Sequence, residues 1–277
     1  MTKVLVLANE TIGGEKLLDA ILARRGEGVS FHVVVPRTRP RHGNVVYDEV
    51  VRDSAQVRVD LARAWMRENG IASSGEVGDP DPFLAAVDAI AAEGIDRVIV
   101  STLPAATSGW LRRDLPERLQ EETGLPVDHV VVDLAKEGLP FGVCLVVANL
   151  TAANEQLSSR LKELAHEGPR RFIVVVPQPS TRGDAVAEAR ERLRRLLDSL
   201  RSAGIVAAGM IGDPDPYTAA MNAAQYFHIS EIVVSTLPAG SSQWMADKLV
   251  ERIESATNKP VEHIESAPDS QPAGAEA

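Results

Sequence analysis

The sequence predicts an α/β fold in which one unit of ordinary domain length is present twice. The first observation is a pair of motifs that both recur after 134 residues: Gly-Asp-Pro-Asp-Pro at 78–82 and 212–216, and Val-Ser-Thr-Leu-Pro at 100–104 and 234–238. The second observation is that apolar runs typical of buried strands alternate with segments of helical periodicity in both halves. Such an alternation predicts a parallel sheet with right-handed crossovers in each unit.

The elements of the first unit follow from local signals. Val4-Leu5-Val6-Leu7-Ala8 is a continuous apolar run, which is typical of a strand that is covered on both faces. Asp81 suits a helix N-cap, and Pro82 suits the first helical position, whose N–H has no intrahelical partner. The predicted strands are 4–8, 31–35, 74–77, 97–100 and 127–132. The predicted helices begin after Gly14 and then cover 48–69, 82–93 and 110–123.

The second unit restarts the pattern at 143–148, after a predicted linker at 135–138. It loses most of a basic loop that follows the second strand of the first unit and contains Arg37, Arg39 and Arg41. The predicted domains are residues 1–135 and 140–266. Residues 267–277 consist mostly of Pro, Ala, Ser and Gln without periodicity, which predicts a disordered tail.

Composition excludes several classes of function. The net charge of −10 argues against non-specific binding to nucleic acid or to anionic membranes, and 4% aromatic residues leave few surfaces on which bases could stack. The chain has no apolar segment of about 20 residues and no signal-peptide pattern, so we expect a cytoplasmic protein. The single cysteine, Cys144, fits a reducing compartment and is expected to be buried and inert.

This element order, duplicated in one chain with a Gly-Asp-Pro turn before the third helix, resembles the tandem form of the universal stress protein family. The resemblance implies a Rossmann-like sheet of order 3-2-1-4-5 in each unit and a cleft beyond the carboxyl ends of strands one and four. It implies ATP or another adenine nucleotide as ligand. It also implies an intramolecular pseudo-dimer in which the two fifth strands meet, with a homodimer as a further option.

The nucleotide-binding members of that family carry an aspartate at the end of strand one and a Gly-x2-Gly-x9-Gly-Ser/Thr signature after strand four. The corresponding positions in the first unit are Asn9, Ser101, Pro104, Asp114 and Leu115; in the second unit they are Asn149, Ser235, Pro238, Lys248 and Leu249. Glycine lets backbone N–H groups approach a phosphate, whereas proline has no N–H and an aspartate repels a triphosphate. We therefore expect that the phosphate loop is lost or remodelled in both units and that ATP binds weakly or not at all by the family's mode.

Polar residues at the strand ends are nevertheless expected to converge over each cleft. The candidate ligand-binding residues are Asn9, Thr11, Val35, Gly78, Ser101, Thr102, Ser108, Asn149, Thr151, Gly212, Ser235, Thr236 and Ser242. One interpretation is a small polar or nucleoside-like ligand that is held by hydroxyl and amide groups. The other is local, because Ser and Thr also cap helices and satisfy turns.

No metal site is predicted. A cation could contact Asp79 and Asp81 in the first unit or their counterparts at 213 and 215 in the second. Two carboxylates alone supply few ligands for a cation, however, and Asp81 is already explained as a helix cap. His129 and His263 lie on the fifth strands, where they could contribute either to an interface or to a bridging metal site.

Because the sequence carries no enzyme motif, the leading hypothesis is a non-enzymatic stress-response module that associates with partners or with an unidentified small ligand. A nucleotide binder with an altered pocket and an enzyme of the wider superfamily are the alternatives.

Overall fold

The computed structural model describes residues 2–39, 48–110, 114–178, 183–238, 242, 244 and 247–266, without the side chains of 183 and 184. The part of the basic loop that contains Arg41 and the predicted tail at 267–277 lie outside the described residues. The chain divides into two compact units, one of Met1–Arg39 with Ser54–Pro140 and one of Pro40–Asp53 with Phe141–Ala277. The predicted domain limits at 135 and 140 stay predictions.

The first sheet has five parallel strands in the order β3-β2-β1-β4-β5, as the resemblance implied. Its strands are β1 (Thr2–Leu7), β2 (Val29–Pro36), β3 (Ser73–Gly78), β4 (Arg97–Thr102) and β5 (Val127–Val131). The helices that accompany them are α1 (Glu15–Leu22), α2 (Asp48–Glu68), α3 (Pro82–Glu93), α4 (Leu115–Thr123) and α5 (Leu134–Glu137).

The second sheet repeats this topology with the order β8-β7-β6-β9-β10, again all parallel. Its strands are β6 (Gly142–Val147), β7 (Arg170–Pro177), β8 (Ala207–Gly212), β9 (Glu231–Thr236) and β10 (Val261–Glu265). Its helices are α6 (Glu155–Glu167), α7 (Gly183–Ser202), α8 (Pro216–Tyr226) and α9 (Leu249–Thr257). The predicted fold class is therefore confirmed in both units.

Strand β1 shows why the apolar runs predict a sheet that is covered by helices on both faces. Its residues from Val4 to Leu7 are at most 2% exposed. Val4 and Val6 pack into the core under α1 and α2, while Leu5 and Leu7 pack into the core under α3 and α4. Successive side chains of a strand point to opposite faces, so a strand that is covered on both sides needs an apolar residue at every position.

Most predicted boundaries lie within two residues of those in the structure, and three differences have an identifiable cause. Strand β4 continues to Thr102, because it pairs with β5 up to Val131, so Ser101 and Thr102 belong to the strand and not to the turn behind it. Helix α4 begins at Leu115 instead of 110, because Asp114 has a left-handed backbone that no α-helix can include. The predicted linker at 135–138 overlaps the short helix α5, which Leu134 anchors by burying its side chain in the core.

The predicted caps of α3 and α8 are confirmed. Asp81 Oδ1 accepts a hydrogen bond of 2.8 Å from the backbone N–H of Phe83, and Pro82 is the first residue of the helix. In the second unit Asp215 Oδ2 accepts from the N–H of Thr218 at 2.9 Å. Each aspartate thus satisfies an N–H that the helix itself leaves without a partner.

Replacing the Asp81 cap is expected to destabilise the first unit. The Asp81→Ala substitution should lower the free energy of unfolding by about 1 kcal/mol, because a helix N–H loses its acceptor. Urea denaturation followed by circular dichroism measures the change. Asp88→Ala, at an exposed position in the same helix, serves as the control and should be close to neutral. Unchanged stability together with a loss of cation binding by Asp81→Ala would favour the metal interpretation instead.

Among the residues that the structure describes, no helix is both long enough and apolar enough to cross a membrane.

Candidate functional site

A small cavity lies at the carboxyl ends of β1 and β4, where parallel strands present their ends at one edge of the sheet. Its volume is about 80 Å³. Its lining residues are Asn9, Glu10, Thr11, Ser101, Thr102, Leu103, Thr107, Ser108, Gly109 and Trp110. The structure therefore brings together five of the residues that the sequence put forward for the first unit. We call this cavity the first cleft.

The second unit has the equivalent cavity at the ends of β6 and β9, with a volume of about 190 Å³. Its lining residues are Asn149, Leu150, Thr151, Ser235, Thr236, Leu237, Ser242 and Trp244. All the hydroxyl and amide candidates of the second unit are among them. We call this cavity the second cleft.

Three candidates are not among the lining residues of either cleft. Val35 is fully buried in the core of the first unit. Gly78 and Gly212 end β3 and β8, and a Cβ atom on either would lie within 2.7 Å of Ala85 Cβ or Ala219 Cβ respectively. The need for glycine at these two positions is thus explained by the close packing of a helix on the strand end.

In the first cleft, Asn9 is held through its amide nitrogen. Asn9 Nδ2 donates to Thr38 Oγ1 at 2.7 Å and to the carbonyl of Pro36 at 3.4 Å. Thr11 Oγ1 donates to the carbonyl of Ser101 at 3.4 Å, which ties the turn after β1 to the end of β4. Asn9 Oδ1 and Ser101 Oγ are buried and have no hydrogen-bond partner among the described residues.

In the second cleft, the equivalent atoms are all bonded within the protein. Asn149 Oδ1 accepts from Arg192 Nη2 at 3.0 Å. Ser235 Oγ donates to Thr151 Oγ1 at 2.8 Å, and Thr151 Oγ1 donates to the carbonyl of Ser235 at 3.1 Å. The two clefts therefore share residue types but differ in their hydrogen bonding.

The sequence interpretation missed Arg58 and Arg192. They are 134 residues apart, so the register of the repeat could have revealed them, and both are buried, at 3% and 7% exposure. Arg58 lies between Val57 and Val59, which are fully buried. A charged residue in so apolar a stretch of helix was the available signal, because arginine is seldom buried without a partner.

The two fifth-strand histidines contact threonines that line the clefts. His129 Nε2 lies 2.8 Å from Thr102 Oγ1, and His263 Nε2 lies 2.9 Å from Thr236 Oγ1. Both threonines line a cleft and are 2% exposed. The imidazole in each unit thereby fixes the position of a cleft hydroxyl group.

One backbone feature recurs behind the fourth strand of each sheet. Asp114 has φ of 46° and Lys248 has φ of 51°, which is the left-handed region, and each immediately precedes a helix. The resemblance described above aligns both residues with the third glycine of the family signature. The position of the second glycine is proline in both units, at 104 and 238, so no N–H is present there.

Restoring glycine at 248 is expected to stabilise the second unit. A left-handed backbone costs a residue with a Cβ about 1–2 kcal/mol, and glycine adopts it without this strain. Lys248→Gly should therefore raise the free energy of unfolding by about 1 kcal/mol in urea denaturation, after the greater freedom of glycine in the unfolded chain is subtracted. Lys248→Ala removes the same charge but keeps a Cβ, so it is the matched control and should give no gain. Equal stability of the two variants would contradict a left-handed backbone at 248.

The motif aspartates serve local structure. Asp79 Oδ1 accepts from the N–H of Asp81 at 2.8 Å, and Asp213 Oδ1 accepts from the N–H of Asp215 at 2.9 Å. Burial raises the pKa of Asp213, against the opposing effect of that hydrogen bond. Within the described part of the chain, no group of three or more His, Cys, Asp or Glu side chains is placed to hold a metal ion.

Cys144 lies fully buried in β6, as the sequence predicted. Desolvation by burial raises the pKa of its thiol well above the ordinary range. Because the thiolate is the reactive form, this cysteine is not poised for chemistry.

Comparison with known proteins gives similarities of structure. No family model matches the chain, and no curated protein matches it either. A universal stress protein from Archaeoglobus fulgidus DSM 4304 is 16% identical, with a TM-score of 0.37, over 97% of each chain. Another from Archaeoglobus fulgidus is 17% identical, with a TM-score of 0.38, over 48% of this chain and 100% of its own. A protein of unknown function from Pseudomonas aeruginosa PAO1 is 18% identical, with a TM-score of 0.34, over 97% of this chain and 93% of its own.

The fold assignment rests on the strand order of the chain itself. This order is β3-β2-β1-β4-β5 in the first unit and β8-β7-β6-β9-β10 in the second. The chain is a tandem of two doubly wound α/β units, and it is similar to universal stress proteins.

Proposed function

We propose that this chain is a non-enzymatic binding module of the stress-protein type, in which the phosphate loop has lost its function and each cleft accommodates only a small polar group. The observation that carries the proposal is the left-handed backbone at Asp114 and Lys248. It supports descent from a glycine loop, because these residues keep a strained shape that glycine would adopt freely. The residues now in the loop are poor partners for a triphosphate.

The size of the clefts supports the same proposal. Sites for drug-sized ligands usually have volumes of about 300–1,000 Å³. The clefts here have about 80 and 190 Å³. A hydroxyl, amide or amino group fits into such a space, whereas a nucleoside triphosphate would have to leave most of its atoms outside.

A nucleoside-like ligand is the second candidate, and the hydrogen-bonding groups at the strand ends favour it. Asn9, Ser101 and Thr102 in the first unit could hold an amino or hydroxyl group of such a ligand without any contact to phosphate. This alternative shares the location of the binding site with the main proposal and differs from it in the size of the ligand.

The pairing of the two units through β5 and β10 stays a prediction. Each of these strands is an edge of its sheet. An open sheet edge is usually paired with or covered by another segment, which supports the pseudo-dimer proposal.

Native mass spectrometry of the purified full-length chain tests the proposed function. We expect spectra without stoichiometric ATP, ADP or AMP, and no release of ADP when the protein is incubated with Mg-ATP. A tightly bound small polar compound would be identified by its mass after denaturation. Stoichiometric adenine nucleotide in the purified protein, or turnover of Mg-ATP, would overturn the proposal.

A further inference from the structure

The two clefts share an asparagine, two threonines and two serines, whereas Glu10 and Thr107 line only the first cleft. The shared asparagine and the serine at the strand end have different hydrogen-bond partners in the two clefts. In the second cleft, Ser235 and Thr151 bond to each other and Arg192 donates to Asn149 Oδ1. In the first cleft, Ser101 Oγ and Asn9 Oδ1 are buried without a partner among the described residues. Ser101 is 1% exposed, so bulk water does not replace the missing partner. Native proteins seldom leave buried polar atoms in this condition, so each such atom calls for an explanation.

The orientation of both asparagine amides follows from the chemistry of their partners. Arg192 can only donate, so the amide oxygen of Asn149 must face it. The carbonyl of Pro36 can only accept, so the amide nitrogen of Asn9 must face that carbonyl. The first cleft therefore retains an unused acceptor at Asn9 Oδ1, whereas the corresponding acceptor in the second cleft is occupied.

In the first unit, the counterpart of Arg192 does not donate a hydrogen bond to the asparagine oxygen. Arg58 is buried at the equivalent helix position, yet Asn9 Oδ1 accepts no hydrogen bond from it. The amide of Asn9 is held instead by Thr38, on the segment that follows β2. The unused acceptor is thus a consequence of how this unit fixes its asparagine.

We infer that the first cleft, and not the second, is built to receive a ligand group that carries an N–H donor beside an acceptor, such as a primary carboxamide or the amino edge of a heterocycle. An N–H of the ligand would donate to Asn9 Oδ1. The Ser101 hydroxyl, which can donate or accept, would complete the contact. The inference rests on the proposed function in that it assigns the ligand chemistry of one cleft. A cavity of about 80 Å³ matches a group of this size.

A permanently bound water molecule is the competing explanation. Buried waters typically make about three hydrogen bonds to polar groups that otherwise have no partner. Such a water would satisfy Ser101 and Asn9 in the free protein, and the cleft would then need no ligand. The two explanations differ in the stability of the Ser101→Ala variant, because only a hydroxyl that is already bonded stabilises the free protein.

The first arm of the test compares Ser101→Ala with the matched control Ser235→Ala in the full chain without ligand. Ser235→Ala removes a formed hydrogen bond and should lower the Tm of its unit by about 2–4 °C. Ser101→Ala removes an unbonded hydroxyl and should leave the Tm unchanged or raise it. A decrease as large as that of Ser235→Ala would show that a resident water satisfies Ser101 and would overturn the inference.

The second arm measures the chemistry that the cleft selects. Nitrogen-15 NMR spectra of the full chain are recorded with acetamide, with N,N-dimethylacetamide and with acetate. Acetamide should give saturable shifts at Asn9 and Ser101 and none at Asn149 and Ser235. The Kd for acetamide should rise about fivefold in Ser101→Ala, the factor that one ordinary hydrogen bond supplies. N,N-dimethylacetamide, which lacks an N–H, and acetate, which carries only acceptors, should not give these shifts.

Three results of the NMR arm would overturn the inference: equal shifts with N,N-dimethylacetamide, equal acetamide shifts in the second cleft, or no saturable shift with acetamide at all. The proposed function fails on a different result, namely nucleotide in the purified protein or turnover of Mg-ATP. The two proposals can therefore fail independently.

Discussion

The Gly212→Ala substitution is expected to destabilise the second unit by about 1–3 kcal/mol, the usual effect of forcing an extra methyl group into a packed core. A Cβ at this position would lie 2.7 Å from both Ala219 Cβ and Val175 Cγ1. Neither neighbour can rotate away, because alanine has no side-chain torsion and the χ1 angle of valine is restricted. Urea denaturation followed by circular dichroism measures the change, and Gly78→Ala should have the same effect in the first unit.

Gly26→Ala is the control for this prediction, because the nearest atom to its added Cβ would be Val29 Cγ2 at 3.8 Å, an ordinary contact. It should be close to neutral. If Gly212→Ala proved equally neutral, the close approach of α8 to the end of β8 would be wrong. The glycine of each Gly-Asp-Pro motif would then need another explanation, such as contact with a ligand.

Much of the fold could be predicted because its signals are local and repeated. Continuous apolar runs such as that of β1 need two covering layers, and the Asp81–Pro82 pair specifies a helix start without reference to the rest of the chain. The start of α4 was missed for a physical reason. Asp114 has a left-handed backbone, which only a few per cent of non-glycine residues adopt, so the sequence pattern did not indicate a helix break there.

The candidate clefts were predicted in part. The convergence of Asn9, Thr11 and Ser101 follows from parallel topology alone, because the carboxyl ends of all strands meet at one edge. The difference between the units could not be predicted from Val-Ser-Thr-Leu-Pro, which is identical in both. It arises because Arg192 reaches Asn149 from a helix 43 residues away in sequence, whereas Thr38 holds Asn9.

The prediction with the largest functional effect is that Mg-ATP binds with a Kd weaker than about 1 mM, which corresponds to a binding free energy of no more than about 4 kcal/mol. Pro104 and Pro238 offer no N–H to a phosphate. A carboxylate such as Asp114 at ~4 Å from a phosphate costs ~1 kcal/mol even at the dielectric constant of water. Lys248 has the opposite charge and attracts phosphate, so any residual affinity should reside in the second cleft and disappear in Lys248→Ala.

Isothermal titration calorimetry of the full chain with Mg-ATP tests the central claim most directly. The account predicts no saturable heat up to millimolar nucleotide, for the wild type and equally for Ser101→Ala and Ser235→Ala. Micromolar binding by the wild type that is lost in Ser101→Ala or Ser235→Ala would contradict it, because hydroxyl groups would then replace the missing glycines in a working phosphate site.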